Sequence, residues 1–149
     1  MPTTRRSSHG RGSAKAFTAM NAALAREIAD AAVGMARHFR GAVTVAVLDA
    51  GAHPVLLQRM DGATLGSIPA ALEKARSAVL FARPTSALER GGWAFGTVSN
   101  LCAVAGGIPV IHKGKVIGGV GVSGLTPQQD EEVAKACCAL DALNGNSAG

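Results

Sequence analysis

The stretch Gly118-Gly-Val-Gly-Val-Ser-Gly124 (GGVGVSG) decides how this chain is read. Gly119, Gly121 and Gly124 stand at the G-x-G-x-x-G spacing of a loop that holds a dinucleotide. That fingerprint works only where a strand runs through the glycine turn into a helix and on to a second, parallel strand. Here Ile108 to His112 and Lys115 to Val122 alternate around the turn Lys113-Gly114, so the glycines lie within and just after a hairpin strand. One helix follows, with no later strand to carry the acidic ribose ligand. No nucleotide is expected. Glycines in a strand serve close approach to the backbone, by a neighbouring helix, a partner subunit or a flat ligand.

Outward from that ribbon, the rest of the chain alternates between helical and strand periods. Thr126-Pro127-Gln128-Gln129 opens a last helix with an N-cap, a proline at its first position and the glutamine of a capping box. Val133, Cys137 and Leu140 form its apolar stripe, and Asn144-Gly145 ends it. Upstream, Phe17, Met20, Leu24, Ile28, Ala32, Met35 and Phe39 make one face of a helix over 17–39, with Gly41 as its stop. A strand over 42–48, a turn at Asp49 to Ala52 and a strand from Pro54 to Arg59 form the first hairpin. A second helix runs from Ile68 to Ala82 with Ser67 as its cap. Its stripe is Ile68, Leu72, Ala75, Val79 and Ala82, while Glu73, Lys74, Arg76 and Ser77 point elsewhere. Ser86 to Glu89 has capping-box form and predicts a short helical turn. Residues 91–105, with the single Trp, fit neither period.

The 149 residues suffice for one domain, and 48% apolar residues against 17% charged supply a core. Aromatics are only 3%, so that core is aliphatic. The net charge of +5 comes largely from Arg5, Arg6, Arg11 and Lys15, in a segment over 1–16 that reads as a flexible basic tail. Beyond it charges nearly balance, which leaves no case for nucleic acid. No apolar run approaches the roughly twenty residues of a membrane span. Three cysteines, Cys102, Cys137 and Cys138, imply no disulfide framework and suit a cytoplasmic location.

Several stretches resemble the GlcG/HbpS-type family, which also occurs as the C-terminal module of PduO-type cobalamin adenosyltransferases. They are VAVLDAGAHPVLLQRMDGA (45–63), AALEKARSA (70–78), GGIPV with KGKVIGGVGVSG (106–124) and QDEEVAKA (129–136). The resemblance implies a single domain over 17–145. It implies a profilin-like three-layer α/β/α sandwich with an antiparallel sheet, assembled as a dimer, tetramer or octamer. It also implies haem or a related tetrapyrrole as ligand, with a role in haem degradation or protection. The Ala-rich faces of the first two helices are suited to close contact between subunits.

The residues themselves leave the chemistry open. Arg59 and Asp61 match the family's R-x-D-G-A pattern. They read either as a guanidinium and carboxylate gripping a small ligand or as an ion pair tying the hairpin to the next helix. Lys74 matches the family's K-A and either faces the same pocket or pairs on the helix surface. Asp61 and Lys74 are the candidate acid–base pair. Gly106-Gly107 reads as an anion nest or as a turn needing positive φ. His38, His53 and His112 are the candidate metal ligands, His112 also a candidate ligand-binding residue, against the alternative that each is a capping or surface histidine. The rival to haem binding is a small enzyme acting on a carboxylate or carbonyl compound by acid–base chemistry. Asp49 reads as a turn former.

Overall fold

The computed structural model describes residues 19–91 and 98–140. Helix α1 spans Ala22–His38. Its start is set by Asn21, whose side-chain oxygen accepts the Leu24 N–H at 2.8 Å, four residues after the expected Phe17. Met20 precedes the helix yet is buried in the core. At the other end the left-handed residue is Arg40 (φ 56°), not the expected Gly41. The Gly41 N–H reaches back to Ala36 O at 3.1 Å and the Arg40 N–H to Arg37 O at 2.9 Å, the two bonds of a Schellman motif. Gly41 lies close to another element: a Cβ there would meet the Leu125 side chain, which would have to move aside.

Strands β1 (Thr44–Asp49) and β2 (Pro54–Arg59) form the first hairpin, and β3 (Gly107–His112) and β4 (Lys115–Ser123) the second. The four make one antiparallel sheet in the order β2-β1-β4-β3, with Thr44 opposite both Arg59 and Ser123. The strand that carries the glycines therefore has antiparallel neighbours on both sides, and no β-α-β unit surrounds it.

Helices cover both faces. α1 and α4 (Pro127–Cys138) pack with Val43, Val45, Val47, Val110, Val120 and Val122 on one side. α2 (Ser67–Phe81) packs with Ala46 and Leu48 on the other. The result is the expected three-layer α/β/α sandwich, an α+β fold. On the α2 side, β3 and β4 offer glycines in place of side chains. A Cβ on Gly119 would lie 2.9 Å from Ala75 O, and one on Gly121 would lie 2.7 Å from Ala75 N and collide with Ala71 O. Gly107 is pressed in the same way against Lys74 backbone. The occupant of the glycine ribbon is thus a helix of the same chain.

This close approach also sets which face of α2 is buried. Ala71, Ala75 and Ala78 are fully enclosed, whereas Ile68 and Leu72 are only half-buried and Ala82 is exposed. The expected stripe is therefore rotated. Lys74 and Ser77, expected to point away, are at 3% and 0% exposure. A glycine floor accepts small side chains and helix backbone, which favours the alanine face over the face with more leucine and isoleucine. The alanine-rich faces of α1 and α2 are consequently used within the protomer: Ala25, Ala29, Ala32 and Ala36 are also fully buried. They are not left for a second subunit.

Ser67 is the first residue of α2, not its cap, which is Gly66. Its hydroxyl bonds Thr44 Oγ1 at 2.8 Å, joining helix to sheet. Helix α3 (Thr85–Arg90) forms the expected short turn, but without the capping box. Ser86 bonds Glu131 of α4, and Glu89 accepts the Ala105 N–H at 3.2 Å. Both side chains are drawn into tertiary bonds. The cap of α4 is as expected: Thr126 Oγ1 accepts from Gln129 N at 3.2 Å and Gln129 Oε1 from Thr126 N at 3.3 Å. This helix ends at Cys138. The expected tail over 1–16 and the stop at Asn144-Gly145 lie outside the described residues, as does Trp93. Residues 98–105 are without helix or strand.

Candidate functional site

β2 delivers Arg59 at its last position, and the Met60 N–H then bonds Val43 O at 3.0 Å before the chain turns at Gly62 (φ 86°). A cleft of about 370 Å³ opens there, lined by Val33, Arg37, Gln58, Arg59, Met60 and Asp61. Arg37 comes from the last turn of α1, so two guanidiniums and one carboxylate share the cleft. Arg26, one face along α1, holds Gln58 Oε1 at 3.1 Å. Arg59 and Asp61 are exposed. Among the described residues neither makes an ion pair or a side-chain hydrogen bond, with the other or with Lys74. The ion-pair alternative, a tie between hairpin and helix, is not formed among the described residues. Water solvates both groups and leaves little gain from pairing.

Lys74 is placed elsewhere. Its ammonium is enclosed, 3.0 Å from Val122 O and 3.1 Å from Asp130 Oδ2, in an ion pair whose side chains are 4% and 3% exposed. The other carboxylate oxygen accepts the Leu125 N–H at 2.9 Å. The pair joins α2 on one face of the sheet to the first turn of α4 on the other. A buried charge is tolerable only when paired and hydrogen-bonded, and here both conditions are met. Gly106 makes room for it: φ is 131°, and a Cβ would lie 2.8 Å from Lys74 Nζ and 3.1 Å from Asp130 Cβ. The Gly107 N–H is taken by Thr85 Oγ1 at 2.8 Å. Gly106 has the positive φ of the turn reading, and Gly107 directs its N–H at a hydroxyl of the chain itself.

The three histidines are dispersed. His38 is exposed at the end of α1, its ring edge-on to Phe39 with centroids 5.8 Å apart. His112, the last residue of β3, is 5% exposed and pairs across the hairpin with Lys115. His53 stands at the β1–β2 turn with its side chain 80% exposed and Nδ1 3.5 Å from Asp49 Oδ1. Asp49 is the expected turn former. The same oxygen accepts the N–H groups of Gly51 and His53, both at 2.9 Å. The His53 N–H above all holds its carboxyl below the ordinary 3.8 against an opposing desolvation, with the Gly51 N–H and the nearby imidazole adding to the effect. Among the described residues, no three His, Cys, Asp or Glu side chains are grouped to hold a metal ion. No helix of the described residues is long and apolar enough to cross a membrane.

Beside this turn lies a cleft the sequence did not disclose, of about 410 Å³. Met20, Val116 and Ile117 give it an apolar floor, and Asp49 to Gly51 and Lys115 form its rim. It unites three stretches because the end of β1 lies against the start of β4, with Asp49 opposite Gly118. The available signal was topological: both hairpins place a turn and its polar residues at related ends of the sheet.

Residues 20–139 match the family described as haem degrading protein HbpS-like. An uncharacterized 15.0 kDa protein in the dhaT-dhaS intergenic region of Citrobacter freundii is 35% identical over 130 residues, covering 82% of this chain and 90% of that one. The solved structure of HbpS superposes with a TM-score of 0.78 at 33% identity, covering 82% of this chain and 89% of that chain. A structure described as a PduOC:heme complex superposes with a TM-score of 0.76 at 28% identity, covering 85% and 96%.

Proposed function

The chain belongs to the HbpS-like family, and from that premise we propose that it binds haem or a closely related flat tetrapyrrole in the cleft beside the β1–β2 turn, withdrawing it from solution. The observation that carries this reading is the similarity, over 85% of the chain, to a protein solved with haem. The residues present fit such a ligand. Met20, Val116 and Ile117 offer an apolar floor for a porphyrin face, and Lys115 on the rim offers a cation for a propionate. His53, at the same turn though outside the residues that line the cleft, is the candidate iron ligand. With Nδ1 turned to the Asp49 carboxylate, Nε2 is the nitrogen left for metal. Haem bound there would supply an iron centre with one protein ligand. The chain's own part is to orient the imidazole and shield one porphyrin face.

Titration with hemin tests this directly. A saturable Soret shift at one equivalent is expected, with the band displaced and affinity reduced in His53→Ala, and affinity alone reduced in Lys115→Ala. A spectrum unchanged in both variants would place any bound haem elsewhere.

A second reading rests on the Arg37–Arg59 cleft, whose two guanidiniums suit a small carboxylate or carbonyl metabolite, with Asp61 as the adjacent acid or base. Lys74 has no part in it, since its ammonium is committed to Asp130 and Val122 O. Self-association is proposed on a different ground from alanine packing: Leu57, Leu65 and Leu80 are 44%, 75% and 53% exposed on β2 and around α2. Light scattering giving a monomer mass would overturn it.

A further inference from the structure

The cleft beside the β1–β2 turn has a counterpart on the other face of the sheet. Leu48 near the end of β1, Ala52 in the turn and Pro54 at the start of β2 meet Leu72 of α2 around a cavity of about 250 Å³. Leu48, Ala52 and Leu72 belong to the apolar cluster under α2, whereas Met20 and Ile117 of the first cleft belong to the α1–α4 side. The two clefts share no lining residue. The polar rim of the second is Glu73 and Arg76 of α2, with Asn100 from the segment ahead of β3.

The seating of α2 creates this rim. The glycine floor takes its alanine face, which leaves Leu72 and Glu73 half-buried and Arg76 exposed beside the hairpin. Glu73 and Arg76 stand one turn apart on the helix, a spacing of roughly 5–6 Å between Cβ atoms. Among the described residues neither side chain forms an ion pair, with the other or with a third group. Ala52 (φ 62°) and Asn100 (φ 61°) both hold left-handed backbone without being glycine, a conformation that persists only where the surroundings fix it.

What would such a cavity hold? Its volume is below the roughly 300–1,000 Å³ of sites for drug-sized molecules, so the ligand is small. The rim carries one charge of each sign. A simple anion meets the Glu73 carboxylate, and a simple cation meets the Arg76 guanidinium; a zwitterion suits both. The apolar wall beside them asks for an aliphatic body. We propose that this cleft binds a free α-amino acid with an aliphatic side chain, of the class of valine, leucine and isoleucine. Arg76 donates to the α-carboxylate and Glu73 accepts from the α-ammonium, both in charge-assisted hydrogen bonds. The side chain rests against Leu48, Ala52 and Leu72. Pairing of the two rim charges with each other would gain little at this exposure, so a ligand that engages both has little to displace. The site is separate from the tetrapyrrole cleft and holds whether or not a tetrapyrrole binds.

Isothermal titration calorimetry of the full chain tests it, with L-leucine as the probe. One saturable site per chain is expected, filled below about 10 mM. Isocaproate, which lacks the ammonium, and isoamylamine, which lacks the carboxylate, should each bind about 10-fold more weakly, the loss of one charged hydrogen bond. The variants separate the two contacts. Glu73→Gln should weaken L-leucine about 10-fold and leave isocaproate unchanged. Arg76→Gln should weaken L-leucine and isocaproate alike and leave isoamylamine unchanged. Circular dichroism of both variants confirms that the fold is kept. No saturable binding of L-leucine, isocaproate binding as tightly as L-leucine, or undiminished L-leucine affinity in either variant would overturn the proposal.

Discussion

Two pairs of opposite charge occupy very different places in this protein. Lys74 and Asp130 are sealed between α2, β4 and α4, with Val122 O and the Leu125 N–H completing their hydrogen bonds. Arg59 and Asp61 share an open cleft and form no ion pair. In the sequence each residue is an unremarkable charge near the end of an element. Burial makes the first pair a strut through the sandwich and leaves the second available to solutes. The lesson is that the role of a charged residue here follows from the dielectric around it, which is set by packing and not by its motif.

That contrast can be broken most sharply at Asp130. Asp130→Ala would strand a buried ammonium, and a loss of about 3–5 kcal/mol in urea unfolding is expected. The double change Lys74→Met with Asp130→Leu should recover most of it. If Asp130→Ala is nearly neutral, the pair is not a strut. Next in size is the glycine floor. Gly121→Val should lose about 1–3 kcal/mol or more, since its side chain meets the backbone of Ala71 and Ala75. Gly114→Ala, in the open β3–β4 turn with φ 74°, separates backbone strain from crowding and should lose less. The α4 cap ranks third: Thr126→Ala should lower stability by about 1 kcal/mol. At the open cleft, Arg59→Ala and Asp61→Ala should each shift stability by no more than about 0.5 kcal/mol, with any ligand effect read separately by calorimetry.

The smallest expected effect concerns pH. The folded Asp49 carboxyl lies below its unfolded value of 3.8, so its contribution is present above that value and is lost as pH falls through the folded one. Asp49→Asn should therefore be slightly less stable than the parent near neutrality, with the two curves converging in acid. A gap that widens in acid would contradict the assigned direction. The group is partly exposed, so the gap is small.

Much of the framework is legible in the sequence. β2 over Pro54–Arg59, the Lys113-Gly114 turn and the Thr126 cap all depend on residues within a few positions of each other. The site was less so. Arg59 and Asp61 were visible as a pair, but Arg37, their neighbour in the cleft, arrives from α1. Lys74 and Asp130 are 56 residues apart, and nothing local links them. The cleft beneath the β1–β2 turn needs Met20 and Lys115 brought together by the sheet order.

The amino-acid sequence alone determined the alternation of elements, their hairpin turns, the capped last helix and the family resemblance, because periodicity and caps are short-range effects. Only the tertiary structure decided which face of α2 is buried, which charges are sealed and what lies over the glycines. Those outcomes depend on the shape and polarity of surfaces contributed by distant segments, and no local pattern encodes them.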